Sequence, residues 1–384
     1  MNNNTVKCTS AALPAKSKGL VAIYSVTHFL VDMGCSMLIY SLSKDYFSDL
    51  TIFLFILGYD FIAFVMQLPF GLVIDMITNH RSNISGTKYA KSPSALLSGI
   101  GVALVGLGCI LGSADNTALP FAVILVCIAG FGNALFHVGA GVDVLKKASG
   151  KTFLPGLFVS TGALGLFLGT KSSEYGYDKL LIMAIPLIVS FILIMAMRKH
   201  SENIVDTAPV RRYSSKLTPV IVIAVFTLVI IYRSYLGFAM KYTWKSTFLL
   251  GFLSAVFIVL GKILGGFIAD KIGWKLTMSI SLSLCAVFAV FSENIAVFGL
   301  LTLLLFNMTM PITMVGLANV MQPYKGVAFG VNTTALFAGF ILSLMTGLTF
   351  SAWKLAIGIA VSAIILLVAI FFYEKGQEAK TEVK

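Results

Sequence analysis

Residues 266–275 read Gly266-Phe-Ile-Ala-Asp270-Lys271-Ile-Gly273-Trp-Lys275 and close a long apolar run. A glycine lets a neighbouring helix approach closely, and an aspartate one turn later can cap or bridge to that neighbour. The basic residues and second glycine that follow mark the exit from the run. In the first half of the chain another apolar run ends in Gly71-Leu-Val-Ile-Asp75. A bare Gly-x-x-x-Asp is a weak pattern. Placed twice, at matching positions of two halves, it specifies an internal repeat of two parallel units.

Composition fixes the solvent in which those units fold. Of 384 residues 58% are hydrophobic and 11% charged, with a mean hydropathy of +0.94. Soluble domains carry roughly 25% charged residues. The chain is therefore a polytopic membrane protein, which excludes a cytosolic enzyme or a nucleic-acid binder. About 12 spans of roughly 22 residues leave only short loops and tails, with no room for a separate soluble domain. The net charge of +12 sits in the short loops, as a topology signal. Cys8, Cys35, Cys109, Cys127 and Cys285 have no metal-ligand spacing and are expected as small core residues without disulfides.

The apolar runs predict spans at 19–40, 51–75, 94–113, 118–142, 153–170, 179–197, 217–239, 247–269, 276–292, 295–320, 327–349 and 352–373. The fold class is thus all-α, with twelve helices in two pseudo-symmetric six-helix bundles. A polar stretch at 199–216 divides an N-terminal bundle, 1–198, from a C-terminal bundle, 217–384, whose tail after Tyr373 is expected to be disordered. Lys88, Lys91, Lys146, Lys147, Arg198, Lys199, Arg211, Arg212, Lys271 and Lys275 fall on the side of that linker. Lys44, Lys171, Lys179, Lys241, Lys245 and Lys354 face the other. The bias puts the linker and both termini in the cytoplasm. The sequons at Asn3 and Asn83 then lie on the cytoplasmic side, so glycosylation is not implied.

These features together carry a specific resemblance. The second Gly-x-x-x-Asp resembles the signature loop of the major facilitator superfamily at Gly266, Asp270, Lys271, Gly273 and Lys275, and departs from it at Trp274. The first copy keeps Gly71 and Asp75 but has Thr78 where the later glycine falls. A narrower resemblance, to the fosmidomycin-resistance-type branch, is carried by Thr27-His28-Phe-Leu-Val-Asp32, by Gly132-Asn133-Ala-Leu-Phe-His137, by Leu157-Phe158 with Gly162, Gly165 and Gly169, and by Arg233-Ser234. The fifth run lacks the Gly-Pro ending usual in antiporters and has Gly169-Thr170 there. The superfamily resemblance implies two bundles rocking about a central cavity lined by the first, fourth, seventh and tenth helices. The branch implies efflux of small organic compounds.

Ionisable groups at lipid depth are costly, so each needs a partner or a wet cavity. His28 and Asp32 are one turn apart on one face and form a candidate proton-coupling pair, against the alternative of a static pair fixing two helices. Asp60 is a further proton-site candidate. Arg233 is a candidate anchor for an anionic substrate, or a partner for Asp32 across the halves. His137, Asn133 and Asn307 are candidate substrate contacts. For Asn307, before Pro311, the alternative is satisfying backbone groups freed by the proline. Lys262 is assigned to the cytoplasmic gate. The fifth-run glycines are expected to pack against a helix. No cofactor or metal is expected: a set of His28, His137 and Asp32 around an ion is weighed and set aside. No Gly-x-x-x-x-Gly-Lys-Ser/Thr loop occurs, so the energy source is an ion gradient and not ATP.

The expected function is secondary active transport by alternating access: proton-coupled efflux of a small organic molecule, by a monomer in the cell membrane, of the bacterial inner-membrane kind. Its expected partners are that substrate, protons and the lipid bilayer, and not nucleic acid. An importer or uniporter of an organic anion or metabolite on the same fold is the alternative. A non-transporting receptor and an intramembrane enzyme rank below both.

Overall fold

The computed structural model describes residues 15–44, 49–85, 92–114, 118–204 and 206–379. Cys8, Lys88, Lys91 and the Asn3 sequon lie outside the described residues. Eleven helices are long and apolar enough to cross a membrane: Gly19–Ser43, Leu50–Arg81, Ser94–Leu111, Leu119–Ala148, Phe153–Glu174, Leu180–Glu202, Leu217–Ala239, Phe248–Ile272, Ala296–Val320, Lys325–Thr346 and Ala352–Glu374. A shorter apolar helix, Trp274–Ala289, stands between the eighth and tenth positions and completes twelve spans. Helices satisfy every backbone group internally, which is why a chain this apolar folds as helices in lipid. Their outer faces carry exposed Leu181, Ile182, Ile185 and Ile188 on the sixth span and Trp353, Ile357 and Ile364 on the twelfth.

Two apolar cores organise the bundles. One is built almost wholly from the first six spans, around Tyr24, Leu38, Phe136, Phe158 and Leu187. The other comes from the last six, around Phe226, Met278, Leu303 and Ile359. The first core also takes in Met314, Val315, Ala318, Ala328 and Phe329 from the tenth and eleventh spans. The halves therefore share packed surface near the linker side of the membrane.

Three spans are interrupted. The second is kinked at Met66, the fifth is broken at Thr161 and the tenth at Met308–Thr309, just ahead of Pro311. The eighth ends at Gly273, whose φ of 88° is open to glycine and turns the chain into the ninth. The sixth span runs to Glu202, past the expected boundary at 198. An Arg198–Glu202 ion pair of 2.9 Å and a bond from Ser201 to Asp143 extend it.

The tail corrects an expectation. Gln377–Ala379 is not disordered: it pairs antiparallel with Val210–Arg212 of the linker, and the Arg211 guanidinium lies 4.0 Å from the centre of the Tyr373 ring. Linker and tail are thereby held against the C-terminal bundle.

The topology gives the first prediction. Ser214 in the linker and Tyr177 in the loop between the fifth and sixth spans are both exposed. With Ser214→Cys and Tyr177→Cys introduced singly, a membrane-impermeant thiol reagent should reach the two from opposite sides. Labelling of both from one side would refute the twelve-span arrangement.

Candidate functional site

The repeated motif forms a seal on the linker side. Gly71 lies against the backbone of Gly326, so close that a side chain on either would collide with the other. One turn on, Asp75 accepts hydrogen bonds from the backbone N–H groups of Gly326 (3.0 Å) and Val327 (2.8 Å), at the start of the eleventh span. The second copy does the same to the fifth. Gly266 lies against the Thr152 carbonyl, and Asp270 accepts from Thr152 N (2.7 Å), Phe153 N (3.0 Å) and the Thr152 hydroxyl (2.8 Å). Each aspartate meets the exposed N–H groups and positive dipole end of a helix from the other half. Asp270 caps a helix of the other half, as its place one turn after Gly266 allows. Its partner is the fifth, while Asp75 takes the eleventh.

On the opposite side the halves meet through aromatic side chains. Phe167 packs against Phe248 and Phe252 at 5.6 and 6.3 Å between ring centres, and Phe61 against Phe337 at 5.8 Å. At that rim burial pushes the Lys245 ammonium down to about 8, where it lies over the Tyr242 ring. Between seal and rim is a cavity of about 430 Å³ that reaches Tyr40, Thr170 and Phe340. A second cavity of about 290 Å³ lies in the C-terminal half. Lys262, Ser234 and Asn332 line both.

On the wall of the larger cavity the structure brings His28, Asp32, Asn133 and His137 together. His28 Nε2 lies 3.2 Å from one Asp32 oxygen, and His137 Nε2 lies 3.6 Å from the other. The Asn133 amide donates to that second oxygen at 3.0 Å. The far nitrogens of both rings are committed. Nδ1 of His28 is 2.6 Å from the Phe158 carbonyl, and Nδ1 of His137 is 2.9 Å from the Asn133 carbonyl. A carbonyl only accepts, so each Nδ1 carries the proton.

The broken fifth span supplies the floor. Around Thr161 the carbonyls of Leu157, Phe158 and Val159 accept bonds from Ser160 Oγ (2.7 Å), the His28 ring and Lys262 Nζ (2.9 Å). Side chains from the first and eighth spans thus satisfy backbone groups at a helix break inside the membrane. Gly162, just after it, lies directly beneath Asp32 Oδ2 and His28 Nε2, where a Cβ would overlap both. Gly165 and Gly169 pack against Phe29 and Met33 of the first span, as the packing expectation required.

The remaining candidates are more dispersed. Asp60 lines the large cavity without a hydrogen bond or ion pair to another described residue. Arg233 does not meet Asp32. It is buried, donates Nη2 to the Phe306 carbonyl, stacks 4.6 Å over the Phe306 ring and lines the smaller cavity. Asn307 lines that cavity too, and its amide donates to the Leu303 carbonyl of its own helix at 2.8 Å. Lys262 is a cavity residue that crosses to the fifth span, not a member of the linker-side seal.

Sequence reasoning missed Asn332, Gly162 in its role as floor of the site, and Asp143. The last accepts from Tyr24 (2.8 Å), Ser94 and Ser201 (2.5 Å), tying four spans together. Three hydroxyls scattered over three helices leave no spacing signal. Asn332 was open to discovery as an amide inside an apolar run.

No protein-family model matches the chain, and neither does any curated protein sequence. Solved structures do. The fucose:proton symporter FucP of E. coli superposes with a TM-score of 0.58 at 12% identity, over 94% of this chain and 99% of that one. The proton:xylose symporter XylE gives 0.58 at 12%, over 92% and 96%. A bacterial homologue of the iron transporter ferroportin, in an outward-facing state, gives 0.55 at 13%, over 93% and 98%. The chain has the fold of the major facilitator superfamily transporters.

Two predictions follow from seal and floor. Asp270→Asn loses a charged acceptor of N–H groups, each such bond contributing about 1.5–3 kcal/mol. It should shift the equilibrium toward opening on the linker side by about tenfold or more, read as lengthened distances between spin labels at Lys151→Cys and Lys271→Cys. Gly162→Ala should cost about 1–3 kcal/mol by overpacking, read as a lowered melting temperature of the purified protein. An unchanged melting curve would mean the His28–Asp32 pair does not rest on that glycine.

Proposed function

We propose that the chain is a secondary active transporter of the major facilitator superfamily that exports a small organic molecule by alternating access, driven by protons. The observation that carries this is the cavity of about 430 Å³ between two bundles, closed on one side by two symmetry-related aspartate caps. With the linker side cytoplasmic, as the basic residues imply, this is the outward-facing state of a monomer in the cell membrane. Breaking the caps while the aromatic contacts of the rim hold converts it to the inward-facing state. The motifs at His28–Asp32, Asn133–His137 and Arg233–Ser234 support the efflux branch. The sugar:proton symporters of the same fold keep import as the second reading.

The residues divide the work. Arg233 and Asn307 on the C-terminal side, and Asn133 and His137 on the N-terminal side, contact cargo from the two halves. His28 and Asp32, the first candidates for the proton, are tied into a network with His137, Asn133 and the Phe158 carbonyl. Asp60 has no such ties among the described residues and opens on the cavity. We assign the coupling proton to Asp60, because an unpartnered carboxylate at this depth is relieved by taking one up.

The test is transport in proteoliposomes with an imposed pH gradient, using cargo found by a thermal-shift screen. Wild type should accumulate cargo. Asp60→Asn should still exchange labelled for unlabelled cargo yet lose gradient-driven accumulation. Full accumulation by Asp60→Asn would remove Asp60 from the coupling step.

A further inference from the structure

We propose that His28, Asp32 and His137 form a binding site for a divalent transition-metal ion of the Zn²⁺, Co²⁺ or Fe²⁺ kind. Both histidines spend their Nδ1 proton on a backbone carbonyl, which leaves both Nε2 lone pairs directed at Asp32. Three acceptor atoms therefore converge, and all lie within 4.8 Å of one another. Ligand atoms bound at about 2.0–2.2 Å to one ion stand about 3.0–3.5 Å apart. His28 Nε2 stands 3.2 Å from Oδ2 of Asp32, inside that spacing, and His137 Nε2 stands 3.6 Å from Oδ1, just beyond it, so small side-chain shifts would bring the three ligands onto one ion.

The surroundings fit a metal centre. Ligating imidazoles commonly donate their other N–H to a carbonyl, which fixes tautomer and ring orientation, and a ligating carboxylate is itself hydrogen-bonded. Both conditions hold, the second through Asn133. Two imidazoles and one carboxylate favour first-row ions of this class over Ca²⁺ or Mg²⁺, which prefer oxygen donors throughout. The three residues line the cavity, so an ion can enter and its remaining coordination positions face that space. There a carboxylate or hydroxyl of a cargo molecule can complete the shell. The site stands independently of direction and coupling, since ion binding is measured without a gradient.

The experiment uses the full-length protein in detergent, titrated with Co²⁺ and followed by visible absorption, with Zn²⁺ calorimetry alongside. The chain has four histidines, so a double variant of the outer pair, His80→Gln with His200→Gln, serves as control. Wild type and the control should bind one ion and develop the absorption of nitrogen- and oxygen-ligated Co²⁺. His28→Gln and His137→Gln should each weaken binding by more than about tenfold. His137 is the deciding variant if His28→Gln does not fold, because its Nδ1 bond stays within its own helix. The proposal is overturned if wild type takes up no Co²⁺, if the control abolishes uptake, or if folded His137→Gln binds as wild type does. Hydrogen-bonded protons would then hold the three groups together, and the transport assay with Asp60→Asn would be unaffected.

Discussion

A carboxylate at the N-terminus of a helix from the opposite bundle is the contact on which the arrangement rests. Asp75 and Asp270 each take two backbone N–H groups that have no partner inside their own helix. Asp75, Gly326 and Thr152 are buried, so their satisfaction depends on the halves meeting there, while Asp270 itself stands at the exposed edge of the seal. The glycines one turn earlier let the backbones come near enough for the bonds to form. On the proposed alternating-access cycle the same bonds would be a two-state element. Made, they close one side of the cavity; broken, they leave charged and polar groups in need of solvent, which an opening vestibule provides. Exchange of the fifth and eleventh spans as partners follows from the pseudo-symmetry of the halves.

That seal was legible in the sequence because the repeat encodes both glycine and carboxylate at fixed spacing. The twelve spans were legible because apolar length is a one-dimensional signal. Break points were harder. Pro311 announces the interruption of the tenth span, but the fifth breaks at Thr161 without a proline. Its freed carbonyls are taken by His28 and Lys262, far away in the chain. Side-chain alliances of that kind belong to tertiary structure and carry no period. The same holds for the pairing of linker and tail, two strands of three residues each, too short and too polar to show alternation. His28 and Asp32 could be matched by helical spacing alone, whereas His137 joins them only through the packing of the fourth span on the first.

Placing three ionisable groups and an amide against a helix break concentrates the polar cost of the membrane interior at one point. Each element there offsets another. The break exposes carbonyls, His28 and Lys262 cover them, the imidazoles of His28 and His137 face a carboxylate, and the absent side chain of Gly162 leaves room for the His28–Asp32 pair. Such a cluster is specific in geometry and intolerant of small additions of volume. It also sits where the fifth span touches the eighth through Lys262. Whatever binds in the cavity therefore acts on the joint between bundles.

The strand formed by linker and tail has a mechanical consequence. By fastening residues 210–212 to the C-terminal bundle, it leaves only the seven residues 203–209 as a tether between the sixth span and that anchor. Fully extended, such a segment reaches roughly 25 Å. It is further gathered in by the Asp206–Lys325 ion pair at 3.0 Å and the Thr207–Ser149 bond at 2.6 Å, which attach it to both bundles. The stroke of the molecule on that side is thus leashed. Lengthening this tether, or removing the tail strand that shortens it, would change how far the two bundles can separate without altering any residue in the membrane.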